Sequence, residues 1–100
     1  MKNSDFSEKT IKRRSVHPDS EHELDYKLTV SKTSDNKEFT ESYSISIKKI
    51  DKSVDVVEDK TVRDFTRIHS FAEKMYELIS LNSVTPVTLA DIITDVISDY

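Results

Sequence analysis

Three histidines are the residues of this sequence best suited to proton transfer or metal binding. His17 and His22 lie close to Asp19 and Glu21, so imidazole and carboxylate ligands are available in one short segment. Nothing in the spacing preorganises these side chains, and ligands in an unstructured segment bind a metal weakly. We therefore expect no metal site there. His69 falls at the margin of an apolar helical stripe, which indicates a half-exposed helix residue rather than a catalytic base.

Carboxylates are frequent, with 19 Asp and Glu residues in a chain of net charge −4. Asp91, Asp95 and Asp99 recur at every fourth position, which places them on one face of a helix. Acid–base catalysis needs carboxylates in a concave, partly dry pocket with separated pKa values. An aspartate ladder is usually a solvated face, and we treat it as a candidate surface for binding a partner.

A short basic cluster lies near the N-terminus and contains Lys9, Lys12, Arg13 and Arg14, with Ser15 directly after it. It could contact phosphates or another anionic surface, or act as a docking segment that phosphorylation controls. No aromatic stacking partner accompanies the four charges, so the signal for nucleic-acid binding is weak. A solvated tail explains the cluster equally simply.

The composition excludes several kinds of chemistry. The chain has no cysteine, which removes disulfides, thiolate metal sites and cysteine nucleophiles. It has no glycine either, which removes the phosphate-binding loop, the dinucleotide fingerprint and the Gly-x-Ser-x-Gly nucleophile turn. We therefore expect a protein that is not an enzyme and that holds no cofactor.

The hydropathy pattern predicts a soluble cytoplasmic protein. A membrane span needs about 20 consecutive apolar residues, whereas the longest apolar cluster, residues 89–97, is interrupted by Asp91, Thr94 and Asp95. The first residues lack the hydrophobic stretch of a secretory signal.

Residues 1–23 are predicted to be a flexible basic and polar arm. Phe6, Ile11 and Val16 are their only sizeable apolar residues, too few to offset the entropy of ordering.

Residues 24–100 are predicted to form one α+β domain. Apolar and polar residues alternate over 24–31 and again over 39–48, which is typical of strands with one wet face, and 54–58 is predicted as a third, shorter strand. Without glycine, the positive-φ positions are expected at Asp35-Asn36 and at Asn82.

Two amphipathic helices are expected to complete the domain. The first runs from about Thr66 to a stop at Asn82, and the second begins at Thr85-Pro86 with an N-cap residue and a proline in the first turn. Their apolar stripes contain Ile68, Phe71, Ala72, Met75, Tyr76, Leu78 and Ile79, then Leu89, Ile92, Ile93, Val96 and Ile97. The predicted fold is a three-stranded antiparallel meander with two C-terminal helices on one face (β-β-β-α-α) and a disordered N-terminal arm.

Residues 40–97 resemble a family of small uncharacterised bacterial proteins, known as a domain of unknown function and found mostly in clostridial-type genomes and their mobile elements. The similarity is carried by Tyr-Ser-Ile-Ser-Ile at 43–47, by the acidic run before Phe65, and by Thr-Pro-Val-Thr-Leu-Ala-Asp-Ile-Ile-Thr-Asp at 85–95. The resemblance implies no activity. It favours a small regulatory protein of bacteria or phage.

Three functions follow as expectations. The first is a module that binds another protein, either as a monomer or as a homodimer through its sheet edges. The second is a phage-type inhibitor of a nucleic-acid enzyme, of the anti-CRISPR or nucleic-acid-mimic kind, acting through the acidic surface. The third is a regulator that contacts nucleic acid through the N-terminal arm.

Overall fold

A four-stranded sheet and two helices make up the protein. The computed structural model describes residues 5–35, 38–54 and 56–98. The elements are β1 (Asp5–Val16), β2 (His22–Asp35), β3 (Glu38–Asp51), β4 (Val56–Thr66), α1 (His69–Leu81) and α2 (Pro86–Ser98). The strands form one antiparallel sheet in the order β1-β2-β3-β4. Both helices pack on one face of this sheet, and the other face is open.

The predicted three-stranded sheet and disordered arm are wrong. Asp5–Val16 forms β1, which pairs with β2 from Asp5 opposite Ser34 to Val16 opposite Leu24. Because the neighbouring strand satisfies main-chain donors and acceptors, an edge strand needs few apolar side chains of its own. Ile11 and Val16 supply that contribution by packing against the core.

The alternation predicted for β2 and β3 is confirmed. Their register places Tyr26 opposite Ile47 and Leu28 opposite Ile45, and all four side chains are fully buried under the helices. Residues 36 and 37 of the predicted hairpin turn lie outside the described residues.

The last strand is longer than the predicted 54–58, because a bulge interrupts its alternation. The pairing of β3 with β4 shifts between Tyr43 and Ile45, and the bulged strand holds Asp64 at φ 52°. The Asp64 N–H donates to Ser44 Oγ at 3.0 Å, and the Ser42 hydroxyl donates to the Asp64 carboxylate. These contacts hold a non-glycine residue in the left-handed region.

Positive φ also occurs at Ser83 (52°) rather than at the expected Asn82, which has φ −100°. Asn82 still ends α1, because its side-chain amide donates to the Leu78 carbonyl at 2.7 Å. Asp35 lies within β2, and Asn36 falls outside the described residues.

Both predicted helices are present, and α2 starts at Pro86 as predicted. The predicted start of the first helix at about Thr66 is wrong, because Thr66 belongs to β4 and α1 starts at His69. Ile68, Leu78 and Ile97 were expected in the core but are 59%, 44% and 43% exposed. The Tyr26 hydroxyl donates to the Val84 carbonyl at 2.8 Å, which ties the connection between the helices to β2. Burial raises the pKa of Tyr26 to about 12. None of the helices described is long and apolar enough to cross a membrane.

Candidate binding surfaces

Two residues of the basic cluster lie on the helix side of the sheet and join β1 to α1. Lys12 Nζ is 3.6 Å from a carboxylate oxygen of Glu73 and 3.7 Å from one of Glu77. Arg14 reaches Glu77 at 3.2 Å. Because β1 alternates, every second residue faces α1, and the cluster divides between the two faces of the sheet.

Arg14 makes the most extensive of these contacts. Its guanidinium donates to Ser80 Oγ at 2.7 Å, and Ser80 is only 2% exposed. The same guanidinium carbon lies 5.7 Å from the centre of the Tyr76 ring, within cation–π range. Arg14 therefore spans from the sheet edge to a buried hydroxyl of α1 and contributes to the fold.

Arg13 points to the opposite, open face. It donates to Asp25 Oδ2 at 2.8 Å, and this hydrogen bond holds the pKa of the Asp25 carboxyl below its usual range. Lys9 is exposed and forms no ion pair with any described residue. Of the four basic residues proposed for partner binding, Lys9 alone has no ionic partner within the described chain.

The histidines also serve as structural contacts. His22 Nδ1 is 2.9 Å from Asp19 Oδ1, and its Nε2 is 3.3 Å from Asp51 Oδ2, so the ring lies between two carboxylates. The hydrogen bond to Asp19 raises the pKa of His22. His69 contacts the Tyr43 hydroxyl at 3.1 Å and Glu73 at 3.3 Å.

The third histidine, His17, makes no side-chain hydrogen bond or ion pair with any described residue. His17 is exposed. Within residues 5–35, 38–54 and 56–98, no group of three or more His, Asp or Glu side chains is arranged to hold a metal ion.

Two members of the acidic ladder are available to a partner. Asp91 and Asp95 are exposed on α2 and form no ion pair within the described residues. Asp99 lies outside the described residues.

A groove that the sequence did not predict lies beside this ladder, between β4 and the start of α2. Its volume is about 400 Å³, and its lining combines charged residues of β4 with apolar residues of α2. The lining residues are Glu58, Asp59, Lys60, Pro86, Val87 and Ala90. Val87 is 76% exposed. The groove therefore presents a large apolar side chain that no described residue covers.

The strand that forms one wall of this groove is an edge strand. β4 pairs with β3 on one side, and the described residues provide no backbone partner on its other side. An edge strand exposes alternate N–H and C=O groups that can pair with an added strand. Glu58, Asp59 and Lys60 form no ion pair within the described chain. Because side chains alternate along a strand, Glu58 and Lys60 lie on the helix side of β4 and Asp59 lies on the open side, beside Thr61.

Sequence reasoning missed this groove because its β4 wall extends beyond the predicted strand 54–58, and its position beside α2 depends on tertiary packing. One signal was available: Val87 lies off the apolar stripe of α2, so a large apolar side chain was left on the wet side of an amphipathic helix.

Comparison with known proteins identifies the family and nothing more specific. No curated protein and no solved structure matches the chain. The model of a family of unknown function, DUF6514, matches residues 7–99, which include all of α1 and α2 and nearly all of the sheet. Since this match covers more than half of the sequence, the chain belongs to the DUF6514 family of unknown function.

Proposed function

We propose that the protein is a non-enzymatic module that binds a partner protein by accepting an extended segment along the free edge of β4. The observation that supports this proposal is the groove between β4 and α2, where an unpaired strand edge lies beside the exposed Val87. An added strand gains main-chain hydrogen bonds from the edge and specificity from the groove beside it.

The side chains of the groove define the chemistry of the segment. Val87, Pro86 and Ala90 offer an apolar wall, and apolar side chains of the partner would lose water contact there. Asp59 favours a cation on the open side of the added strand, because it has no ionic partner among the described residues. Successive residues of a strand point to opposite faces, so the preferred segment alternates apolar and basic residues.

The opposite edge of the sheet is less suited to this role. β1 carries Lys9, Lys12, Arg13 and Arg14 and a register shift between Thr10 and Lys12. Charged side chains and bulges are the usual protection of an edge against added strands. β4 is also charged and also has a bulge, but its bulge lies at its far end, beyond Val62, and the groove lies beside residues 58–60, where the pairing with β3 is regular. The register shift of β1 lies in the middle of the strand, so β4 is the better edge for a partner.

A synthetic peptide that alternates valine and lysine is the probe for this site. In an NMR titration, we expect shifts confined to β4 and the start of α2, together with slower hydrogen exchange at alternate β4 amides. Asp59→Lys should weaken peptide binding about fivefold, because it replaces an attraction to the basic residues of the peptide with a repulsion. The matched control is Glu41→Lys, an exposed carboxylate of β3 whose ionic partner is Lys32 at 3.5 Å.

Three results would contradict the proposal. Equal weakening by Asp59→Lys and Glu41→Lys would show a non-specific charge effect. Peptide binding without protection of β4 amides would place the site elsewhere. Protection that rises with protein concentration, in the absence of peptide, would assign the edge to a second copy of the chain.

A second candidate function is the inhibition of a nucleic-acid enzyme by the acidic face of α2. Asp91 and Asp95 support it, because both are exposed and lack ionic partners within the described residues. We expect such a complex to weaken with added salt and to be lost in the double variant Asp91→Lys, Asp95→Lys, with fluorescence anisotropy against a basic nuclease as the measurement. Unchanged affinity in the double variant would exclude this function.

The nucleic-acid alternative has less support from the geometry. Three of its four basic residues, Lys12, Arg13 and Arg14, already form ion pairs with carboxylates of the protein. Contact with phosphates would compete with these pairs.

A further inference from the structure

The open face of the sheet contains a polar trough that the proposed protein-binding groove does not use. Its floor consists of hydroxyl residues from three adjacent strands, Thr29 on β2, Ser44 and Ser46 on β3, and Thr61 on β4. Glu8, Lys27 and Arg63 complete the lining, and the volume is about 130 Å³. The trough is therefore small, and nearly all of its lining is polar.

One ion pair indicates the concave shape of this face. Arg63 on β4 lies 3.3 Å from Glu8 on β1, although β2 and β3 separate the two strands. Neighbouring strands are about 4.8 Å apart, so a flat sheet would hold these two edges about 14 Å apart. The two side chains can meet only by reaching over the middle strands, and the sheet curls so that the open face is hollow.

The hydroxyl groups on the floor can donate hydrogen bonds. Ser44 is 3% exposed, and its oxygen accepts a hydrogen bond from the Asp64 N–H, so its own hydrogen has no acceptor among the described residues. Ser46, Thr61 and Thr29 make no side-chain hydrogen bond within the described chain. A buried hydroxyl with an uncommitted hydrogen points to an acceptor that the protein itself does not supply.

The charge of the trough favours an anion. Lys27 forms no ion pair with a described residue, whereas Arg63 is already paired with Glu8. Lys27 also acts on the nearby Asp25 carboxyl. The lining itself nevertheless holds two cations, Lys27 and Arg63, against one carboxylate, Glu8, beside several hydroxyl donors. Bases of a nucleic acid would need an aromatic platform, and none of the residues that line the trough is aromatic.

We propose that this trough binds a small oxyanion of the phosphate class, with Lys27 supplying the charge and Ser44, Ser46 and Thr61 supplying neutral hydrogen bonds. Charge-assisted hydrogen bonds from ammonium to phosphate oxygen are stronger than those between neutral groups, so Lys27 dominates the affinity. The volume admits a single oxyanion group. Arg63 and Glu8 lie at one end of the trough and limit its extent.

The test is an NMR titration of the full chain with inorganic phosphate, against sodium chloride at the same ionic strength. We expect saturable shifts at residues 27, 44, 46 and 61, and an affinity about fivefold lower in Lys27→Met. Lys74→Met is the matched control, because Lys74 is an exposed lysine of α1 without an ionic partner in the described chain, and it should bind phosphate as the unaltered protein does.

Other outcomes would overturn the proposal. Chemical-shift changes that do not saturate, or that sodium chloride reproduces, would show that ionic strength alone causes them. Equal affinity of Lys27→Met and the unaltered protein would exclude the trough. A titration with acetate distinguishes phosphate from carboxylate ligands. If acetate binds as tightly as phosphate, the site is one for carboxylates. The peptide titration monitors resonances of β4 and α2, whereas the phosphate titration monitors residues 27, 44, 46 and 61. The protein-binding proposal and the phosphate proposal can therefore fail independently.

Discussion

A chain that begins at His17, and so lacks β1, is expected to lose its cooperative unfolding transition. The deletion removes every backbone hydrogen bond between β1 and β2 and strips Ile11 and Val16 from the core. It also removes the hydrogen bond that Arg14 donates to the buried Ser80. A domain of this size has a free energy of unfolding of only about 5–15 kcal/mol. Circular dichroism during heating, combined with hydrogen exchange of β2 amides, measures the effect.

The same experiment distinguishes a paired β1 strand from a disordered N-terminal arm. If residues 1–23 were a disordered arm, the shortened chain would melt at the temperature of the full chain. An unchanged midpoint and unchanged protection of β2 amides would therefore contradict the pairing of β1 with β2.

Arg14→Met is expected to lower the free energy of unfolding by about 2 kcal/mol. Hydrogen bonds to charged groups contribute about 1.5–3 kcal/mol, and the substitution leaves the 2%-exposed Ser80 without its donor. Methionine retains most of the apolar length that packs beside Tyr76. Denaturation with urea, analysed for both the midpoint and the slope, gives the change.

Arg13→Met is the control for this substitution. Its ion pair with Asp25 is also short, at 2.8 Å, but the arginine side chain is 65% exposed on the open face. An exposed pair contributes less than about 1 kcal/mol. Equal losses in the two variants would contradict the role of Arg14 as the residue that fixes β1 to α1.

The helices and the central hairpin could be predicted because each has a clear sequence pattern: alternation of apolar and polar residues in the strands, and an amphipathic stripe in the helices. In β2 and β3 the alternation is nearly unbroken, and Tyr26 and Ile45 are buried as that pattern requires. The start of α2 at Pro86 follows from the fixed backbone angle of proline in the first turn.

The edge strands could not be predicted with the same rules. In β1, Lys12 and Arg14 occupy positions on the helix side, because carboxylates of α1 neutralise them there. Hydrophobicity alone predicts that such charged residues are exposed to solvent. In β4, the bulge at Asp64 shifts the alternation, so Val62 and Phe65 both pack against the core although they are three positions apart.

The candidate surfaces depend on tertiary geometry to different degrees. Asp91 and Asp95 could be placed on an exposed helix face from their spacing alone. The basic cluster looks free for binding in the sequence, because the carboxylates that pair with it are distant along the chain. They are Glu73, Glu77 and Asp25. The groove and the trough depend on β4, and the trough also on β1, so neither could be derived from a fold that lacked one of these strands.

The position of the two bulges has a consequence for assembly if the proposed strand addition is correct. A filament built by repeated strand addition needs two receptive sides on every molecule. The register shift of β1 lies in the middle of the strand, whereas β4 is regular from Val56 to Val62. Under the proposal each molecule would therefore pair through β4 alone, and association would end at a discrete pair.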